Sequence, residues 1–389
     1  MEERSISKFS TPNEFFPLGL IPLRSATELG KKIDKHLMNW YYNEYPDKIK
    51  ADETDTVILE AKCPRFSSGD AKGILLNTVR GYDLFIIIDV GNYSCTYNMF
   101  GKEVPMSPDD HFADLKRVIS AASGKAERIT VIMPTLYGGR QHKRSGRESL
   151  DCAMALQELA NMGVKNVIAV DAHDPRVQNA AHLMGFDNAM PTYQVLKALF
   201  RKVRDLKIDK NHLMVVSPDE GAMNRNMYYA SIMGLDLGMF YKRRDYSVIV
   251  NGRNPIVAHE YLGNDVKGKD VFVADDIIAS GDSMLILAED LKRAGAERIF
   301  MFATYGLFTE GLEKFQEAYD KGLLAGVLTT NLTYRSPELM AKPWYIEVDV
   351  SKYLAYFTLA IHQNRSITHL LDPHKKIKDL LEKYPGWNK

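Results

Sequence analysis

Residues Val271–Met284 read VFVADDIIASGDSM, and this stretch decides which fold we predict for the chain. A short apolar run, Val271–Ala274, is followed by two adjacent carboxylates, Asp275 and Asp276, and then by a loop of small residues. An amphipathic helical pattern begins near Ser283. Because open α/β sheets bind ligands at the carboxyl ends of their strands, the stretch predicts a binding site built from a strand, a loop and a helix.

The loop of this stretch has the composition of an anion site. Free backbone N–H groups and the dipole at a helix N-terminus favour a phosphate. The acid pair suits ribose hydroxyls or a bound Mg²⁺, which prefers oxygen ligands. Loops with Asp-Asp and Gly are also common as plain helix caps, so the loop alone leaves a purely structural role open. The predicted phosphate loop comprises Ala279, Ser280, Gly281, Asp282 and Ser283.

Short β-branched runs alternate with helical patterns almost throughout the chain. Several of the runs are continuously apolar, which is typical of strands covered on both faces of a parallel sheet. The order of strand, helix and strand therefore predicts doubly wound α/β layers. The predicted strands are Leu84–Val90, Arg128–Pro134, Asn166–Asp171, Leu213–Ser217, Tyr246–Val250, Asp270–Ala274 and Arg298–Thr304, and the predicted helices are Asp110–Ala122, Gly146–Met162, Thr192–Leu206, Ser283–Ala294 and Leu312–Leu323.

The length of 389 residues exceeds what one hydrophobic core usually serves, so we expect two domains. The pattern looks duplicated, because Arg128–Pro134 resembles Leu213–Pro218 and Lys165–Asp171 resembles Lys269–Asp275. Chance similarity between apolar strands is the alternative. We predict an N-terminal domain, 1–188 joined by the helical tail 351–389, a C-terminal domain, 189–350, and a surface insertion at Asn43–Thr56.

The bulk composition narrows the classes of partner. Fifty Lys and Arg residues balance fifty Asp and Glu residues, so no global field attracts nucleic acid or an anionic membrane. The N-terminal residues Met1–Pro17 lack the apolar core of a signal peptide. The longest apolar runs, such as Leu84–Ile88, are too short to cross a bilayer. We expect a soluble, cytoplasmic protein.

The Val271–Met284 stretch resembles the phosphoribosyl diphosphate (PRPP) binding motif of type I phosphoribosyltransferases and ribose-phosphate diphosphokinases (PRPP synthetases). In those families the acid pair faces the ribose and the loop holds its 5-phosphate. Two positions depart from the pattern, since Ala279 stands where an aspartate is frequent and Asp282 stands where a glycine is usual. A carboxylate at residue 282 repels a phosphate unless it points outward or meets a cation.

Two segments of the first half are similar to the ATP-binding segments of the diphosphokinases. In GRQHKR, Arg140 and Gln141 match the residues that contact ATP, and His142 replaces a typical aspartate. In DAHDPRVQ, which follows the next predicted strand, His173 takes the place of the histidine that helps to bind Mg²⁺ and the ATP phosphates. A solvated charge run and a structural histidine are the alternatives for these segments taken singly.

Two segments of the second half resemble the family's phosphate-handling loops. SPDEGAMNR resembles the pyrophosphate loop, where Asp219, Glu220 and Gly221 match and the glycine lets the backbone approach the ligand. In YKRRD, Lys242 and Arg244 match a Lys-x-Arg pair that closes over ATP on a mobile loop in the family. Such cations suit phosphoryl transfer, because negative charge builds up on the transferred group.

A further segment, FSSGD followed by VRG, resembles the family's adenine-binding element. Phe66 and Gly69 match it, Asp70 stands in for a glutamate, and Ser68 replaces an aspartate. In the family this element reaches into the ATP site of a neighbouring subunit. The resemblance therefore implies a homo-oligomer.

Because these segments occur in the family's order, the resemblance implies two tandem phosphoribosyltransferase-like, Rossmann-like α/β domains with parallel sheets flanked by helices. It implies Mg²⁺-dependent transfer of the diphosphoryl group of ATP to the 1-hydroxyl of ribose 5-phosphate, giving PRPP and AMP. The residue roles that it implies are catalysis by Lys242 and Arg244, ATP binding by Phe66, Asp70, Arg140, Gln141 and His173, and metal binding by His173 and Asp275.

Three other functions stay open. A PRPP-consuming phosphoribosyltransferase is disfavoured by the ATP-like segments of the first half. A non-catalytic regulatory homologue is suggested by the departures at Ser68, His142, Ala279 and Asp282. A nucleic-acid-binding protein is disfavoured by the zero net charge and by the lack of aromatic residues interleaved with the basic clusters.

Overall fold

The computed structural model describes residues 16–44, 56–244 and 256–387. The strands in these ranges are β1 (Leu18–Pro22), β2 (Ala61–Lys62), β3 (Ile74–Leu75), β4 (Asp83–Ile87), β5 (Thr96–Met99), β6 (Lys102–Pro105), β7 (Arg128–Ile132), β8 (Asn166–Val170), β9 (Gly185–Ala189), β10 (Leu213–Ser217), β11 (Leu237–Arg244), β12 (Ile256–Leu262), β13 (Asp270–Ile278), β14 (Ile299–Gly306), β15 (Gly326–Thr330) and β16 (Tyr345–Val348). The α-helices are α1 (Thr27–Glu44), α2 (Pro108–Ala122), α3 (Asp151–Asn161), α4 (Thr192–Lys202), α5 (Met223–Met233), α6 (Asp282–Arg293), α7 (Glu313–Asp320), α8 (Pro337–Ala341), α9 (Ser351–His362), α10 (Thr368–Leu371) and α11 (His374–Glu382).

The chain packs into two compact units. The N unit comprises Met1–Pro191, Asn331–Tyr334 and Asp349–Leu371, and the C unit comprises Thr192–Thr330, Arg335–Val348 and Asp372–Lys389. The helical tail is thus divided, with α9 and α10 in the first unit and α11 in the second. The domain boundaries at residues 188 and 350 stay a prediction.

The N unit is built on a five-stranded sheet in the order β1-β4-β7-β8-β9, in which every pair is parallel. Its central strands are continuously buried; in Leu84–Ile88 each residue has no exposed surface. Strands covered on both faces need apolar side chains on both faces, which explains why β4 does not alternate. Apolar side chains of α2 and α3 complete this core.

The C unit contains a seven-stranded sheet in the order β12-β11-β10-β13-β14-β15-β16. All neighbouring strands are parallel except β11 and β12, which are antiparallel. Apolar side chains of α6 and α7 pack on the sheet, and Trp344 and Phe315 are fully buried among them.

The predicted alternation of strands and helices is confirmed over most of the described chain, although β2 to β6 and β11 to β13 follow one another without an intervening α-helix. Six predicted strands overlap β4, β7, β8, β10, β13 and β14, and the five predicted helices overlap α2, α3, α4, α6 and α7. The predicted strand Tyr246–Val250 and residues 45–55 of the predicted insertion lie outside the described residues.

An ion pair ties together the amino ends of two central strands in each unit. In the N unit, Arg128 Nε donates to Asp83 Oδ1 at 2.8 Å, and His362 Nδ1 of α9 lies 2.9 Å from Asp83 Oδ2. In the C unit, Arg298 Nε donates to Asp270 Oδ1 at 3.0 Å. These half-buried pairs occupy the amino ends of the strands, and the predicted binding loops follow the opposite, carboxyl ends.

None of the helices within residues 16–44, 56–244 and 256–387 has both the length and the apolar character of a membrane-spanning helix.

Candidate active site

The predicted acid pair lies inside strand β13. This strand pairs with β10 only as far as Val273, but it continues beside β14 to Ile278. The expectation that the strand ends at Ala274, just before the acids, is therefore wrong. Asp275 and Asp276 occupy the part of β13 that extends beyond β10, where one side of the strand has lost its partner.

Asn226 of α5 takes over hydrogen bonding where β10 ends. This fully buried side chain donates from Nδ2 to the carbonyl oxygen of Ala274 at 2.7 Å, and its Oδ1 accepts the N–H of Ala274 at 2.9 Å. The same Nδ2 lies 2.9 Å from the carbonyl oxygen of Ala222. Because buried backbone groups need partners, Asn226 holds the strand residue next to Asp275 in place.

The carboxylate of Asp275 is in a strained electrostatic position. Burial raises its pKa to about 7, and the nearby Asp276 and Asp219 add to the rise. Arg225, whose guanidinium lies 3.7 Å from Asp275 Oδ1, and the N–H of Asp276, which donates to Asp275 Oδ1 at 2.8 Å, oppose it. A carboxyl that resists ionisation beside a second carboxylate is suited to a cation or to hydroxyl donors.

The predicted phosphate loop joins β13 to the start of α6. Gly281 has φ 89°, and a Cβ at this residue would lie 2.3 Å from Cζ of Phe315. Both the backbone conformation and the lack of space therefore require glycine. The helix begins at Asp282, and its first N–H groups lack partners within the helix. The loop has the geometry of an anion site at a helix N-terminus.

The predicted pyrophosphate loop connects β10 to α5, next to the acid pair. Ser217 Oγ donates to the carbonyl oxygen of Asp219 at 2.8 Å, and the N–H of Ala222 lies 3.2 Å from Asp219 Oδ1. Glu220 and Gly221 are exposed. Because β10 and β13 are parallel neighbours, this loop and the acid pair share one edge of the C unit's sheet.

In the N unit, the structure brings the two ATP-like segments together at the carboxyl ends of β7 and β8. The rings of His142 and His173 have centroids 5.1 Å apart. Gln141 Nε2 donates to the carbonyl oxygen of Ser149 at 3.1 Å, and Arg140 is exposed. The histidine that departs from the family pattern therefore lies beside the predicted ATP ligand.

Asp174 has a structural role in this cluster. Its carboxylate caps the 3-10 helix Pro175–Ala181 and binds the guanidinium of Arg176, with a shortest distance of 2.6 Å. The bond to Arg176 lowers the pKa of Asp174 to about 2. His142 Nε2 lies 3.5 Å from the same carboxylate, so Asp174 also orients that ring.

The predicted adenine element forms a tight turn between β2 and β3, and this turn contacts the β5–β6 hairpin. The N–H of Phe66 donates to the carbonyl oxygen of Asp70 at 2.7 Å, and the Asp70 carboxylate accepts from Ser68 Oγ at 2.9 Å. Gly69 has φ 96°, and a Cβ there would lie 2.8 Å from Sδ of Met99. The ring of Phe66 is 53% exposed and is therefore available for stacking.

Comparison with known proteins identifies the family. The N-terminal domain of ribose phosphate pyrophosphokinase matches residues 18–163, and the phosphoribosyl transferase domain matches residues 186–323. The chain belongs to the ribose-phosphate pyrophosphokinase family. These proteins are the diphosphokinases that the motifs resemble, so the predicted family is confirmed.

Individual relatives of this family cover most of the chain. The ribose-phosphate pyrophosphokinase of Vibrio cholerae is 28% identical over 317 residues, which are 80% of this chain and 91% of the relative. That of Chlorobaculum tepidum is 25% identical over 360 residues, which are 92% of this chain and 95% of the relative. A crystal structure of phosphoribosylpyrophosphate synthetase from Mycobacterium smegmatis superimposes with a TM-score of 0.69 at 21% identity, over 89% of this chain and 99% of that one. The predicted fold class is thereby confirmed.

The Lys-x-Arg pair lies at the end of a strand of this pyrophosphokinase family member. The backbone of Lys242 and Arg244 belongs to β11, opposite His259 and Ile256 of β12, with a register shift between Arg243 and Arg244. The expectation of a loop at these two residues is therefore wrong for the backbone. Their side chains lie outside the described residues.

Three residues near the predicted loops were not singled out from the sequence. Arg225 is the last residue of the SPDEGAMNR segment, but its contact with Asp275 was not predicted. Asn226 contacts Ala274, which is 48 positions away in the chain, and Lys314 contacts Asp282, which is 32 positions away. A local sequence pattern does not indicate contacts over such separations.

Within the described residues, no group of three or more His, Cys, Asp or Glu side chains is placed to hold a metal ion. Mg²⁺ in kinase sites is usually bound by one or two carboxylates, with substrate phosphates and water completing its shell. The half-buried Asp275 beside the buried Asp276 fits this mode of binding.

Proposed function

We propose that the protein is a ribose-phosphate diphosphokinase, which transfers the diphosphoryl group of ATP to the 1-hydroxyl of ribose 5-phosphate and releases PRPP and AMP. The observation that carries this proposal is the arrangement at the carboxyl ends of β10 and β13 in the C unit's sheet. There an acid pair, a phosphate loop and a pyrophosphate loop lie at the ends of two neighbouring strands. A sugar phosphate that gains a diphosphate needs these three elements together.

In the C unit we assign the 5-phosphate of ribose 5-phosphate to the loop Ala279–Ser283, where the positive φ of Gly281 and the N-terminus of α6 support anion binding. We assign Asp275 and Asp276 to the ribose hydroxyls. Asp219, Glu220 and Gly221 would hold the diphosphate.

In the N unit we assign ATP to Arg140, Gln141 and His173, and its adenine to Phe66 and Asp70. The proximity of the His142 and His173 rings and the exposure of the Phe66 ring support this assignment. Arginine side chains suit the task, because their guanidinium groups donate parallel hydrogen bonds to phosphate oxygens.

The chemistry needs positioning and charge neutralisation but no covalent intermediate. We propose Mg²⁺ as the cofactor, with Asp275 among its ligands in the C unit and His173 as the candidate in the N unit. When bound, Mg²⁺ would neutralise charge on the phosphate oxygens. Lys242 and Arg244 are assigned to the negative charge that develops during transfer.

We further propose that the protein is cytoplasmic and forms a homo-oligomer. In the family the adenine element serves a neighbouring subunit, and the exposed Phe66 here is compatible with that use.

One assay tests the proposed reaction. The purified protein is incubated with Mg²⁺, ATP and ribose 5-phosphate, and AMP and PRPP are quantified together, with Asp275→Asn as the inactive comparison. Equal amounts of AMP and PRPP are expected. ATP binding without release of AMP would instead identify a regulatory homologue, and consumption of added PRPP with a nucleobase would identify a phosphoribosyltransferase.

A further inference from the structure

Asp282 introduces a carboxylate into the loop that we assign to a phosphate. It is the first residue of α6, directly after Gly281, and its side chain is about half exposed (50%). A carboxylate at this place disfavours a bound phosphate dianion, because like charges at close range repel. A loop that contains this acid can bind a phosphate only if the carboxylate is kept from repelling it.

A lysine of α7 contacts this acid. Lys314 Nζ lies 2.8 Å from Asp282 Oδ1, which makes a charge-assisted hydrogen bond with the acid of the phosphate loop. The hydrogen bond from Lys314 lowers the pKa of Asp282, so this acid is ionised at neutral pH. The two residues are 32 positions apart in the chain.

Lys314 is held in place by its neighbours. Phe315, the next residue, is fully buried, and its ring occupies the space beneath Gly281 that a Cβ would need. The N–H of Thr309 donates to the carbonyl oxygen of Ala279 at 2.9 Å, which ties the segment before α7 to the phosphate loop. These contacts anchor the backbone at Lys314 next to the loop.

Glu310 adds a second anchor for the ammonium group. Its Oε2 lies 2.7 Å from Lys314 Nζ, at the i,i+4 spacing. One ammonium group therefore serves two carboxylates, and the cluster of Asp282, Glu310 and Lys314 has a formal charge of minus one. Loss of the lysine would double that negative charge beside the phosphate loop.

We propose that Lys314 is a positioning residue for phosphate binding, which holds the Asp282 carboxylate on the α7 side of the loop so that the loop accepts the 5-phosphate of ribose 5-phosphate. This inference rests on the proposed function of the Ala279–Ser283 loop. It assigns Lys314 no contact with the substrate. The pair is exposed, and exposed ion pairs contribute little to folding, so its effect should appear in binding and not in stability.

The test measures ribose 5-phosphate binding by isothermal titration calorimetry at low salt, with ATP binding as a second readout. Lys314→Met should weaken ribose 5-phosphate binding on the order of threefold to tenfold, because a nearby charge is only partly screened. Binding of ATP and the melting temperature should not change. Lys342→Met is the matched control, because Lys342 also pairs with a glutamate at the i,i+4 spacing, Glu338 at 2.9 Å, but at the end of α8.

A double-mutant cycle separates the proposed route from a direct attraction of the phosphate by Lys314. If Lys314 acts through Asp282, Lys314→Met should cost much less in the Asp282→Asn background than in the wild type. Lys314→Arg, which keeps the charge, should bind like the wild type. An equal cost in both backgrounds would show direct attraction and would overturn the proposal, as would unchanged binding by Lys314→Met.

The outcomes also separate this inference from the proposed reaction. If the wild type binds ribose 5-phosphate and shows the expected cycle but makes no AMP, the inference stands and the reaction is refuted. If the wild type makes PRPP and Lys314→Met binds normally, the reaction stands and the inference is refuted. A wild type that binds no ribose 5-phosphate overturns both.

Discussion

The substitution Asp275→Asn removes one charge from the acid pair and keeps its shape. The asparagine Oδ1 can still accept the N–H of Asp276, which donates to Asp275 Oδ1 at 2.8 Å in the wild type. The variant therefore isolates the electrostatic cost of the carboxylate. We expect it to stabilise the protein at alkaline pH in the absence of Mg²⁺, and at the same time to abolish turnover.

The magnitude follows from the pKa of Asp275, which is raised by burial from 3.8 to about 7. A carboxyl with a raised pKa favours the folded state when protonated, so this group costs the wild type stability as the pH rises from about 4 to about 7. Because a tenfold change in proton affinity is worth about 1.4 kcal/mol, the ceiling is about 4 kcal/mol. The side chain is 25% exposed, so water reduces the cost, and we expect about 1–3 kcal/mol.

The assay is thermal unfolding in EDTA at about pH 8 and about pH 5. A unit of this size should melt about 2–4 °C higher for each kcal/mol gained, and the advantage of the variant should shrink at the lower pH. Asp320→Asn, on the exposed end of α7, is the matched control and should have little effect. A variant that is less stable than the wild type at about pH 8, or equally more stable at both pH values, would refute the electrostatic reasoning.

Three further predictions concern Lys242, Asn226 and Gly281 of the C unit. Lys242→Ala should lower turnover by about a hundredfold or more, as expected for the loss of a transition-state donor, and a loss below about threefold in steady-state kinetics would show that the role is wrongly assigned. Asn226→Ala leaves the backbone of Ala274 without its partner and should cost about 2–4 kcal/mol in denaturant unfolding, whereas a cost below about 0.5 kcal/mol would contradict the role of the two hydrogen bonds between Asn226 and Ala274. Gly281→Ala places a Cβ against the ring of Phe315 at a positive φ, so it should destabilise the protein and weaken ribose 5-phosphate binding at least about tenfold. Adding Phe315→Leu to this variant should restore part of the lost stability.

The predicted strand Asp270–Ala274 shows where local sequence patterns stop being informative. The apolar run ends at Ala274, and two aspartates in succession disfavour a strand. The structure continues β13 to Ile278, because β14 supplies hydrogen-bond partners on one side and Asn226 supplies them at Ala274 on the other. Both partners are distant in sequence, so no pattern within the strand reveals the extension.

The departure at Asp282 illustrates the same limit within the site. The sequence places a carboxylate in a phosphate loop and leaves two outcomes, that the side chain points outward or that it meets a cation. The structure selects the second, because the contact of Phe315 with Gly281 brings Lys314 to the loop.

By itself, the sequence determined the alternation of strands and helices, the order of the motif segments and the family, because these depend on side-chain periodicity and on residues that are close together in the chain. Only the tertiary structure decided that Asn226 and Arg225 contact the region around Asp275 and that Lys314 pairs with Asp282. The physical reason is that the charge balance and the hydrogen bonding of a buried site depend on groups from different elements. Their distances are set by packing and not by their separation along the chain.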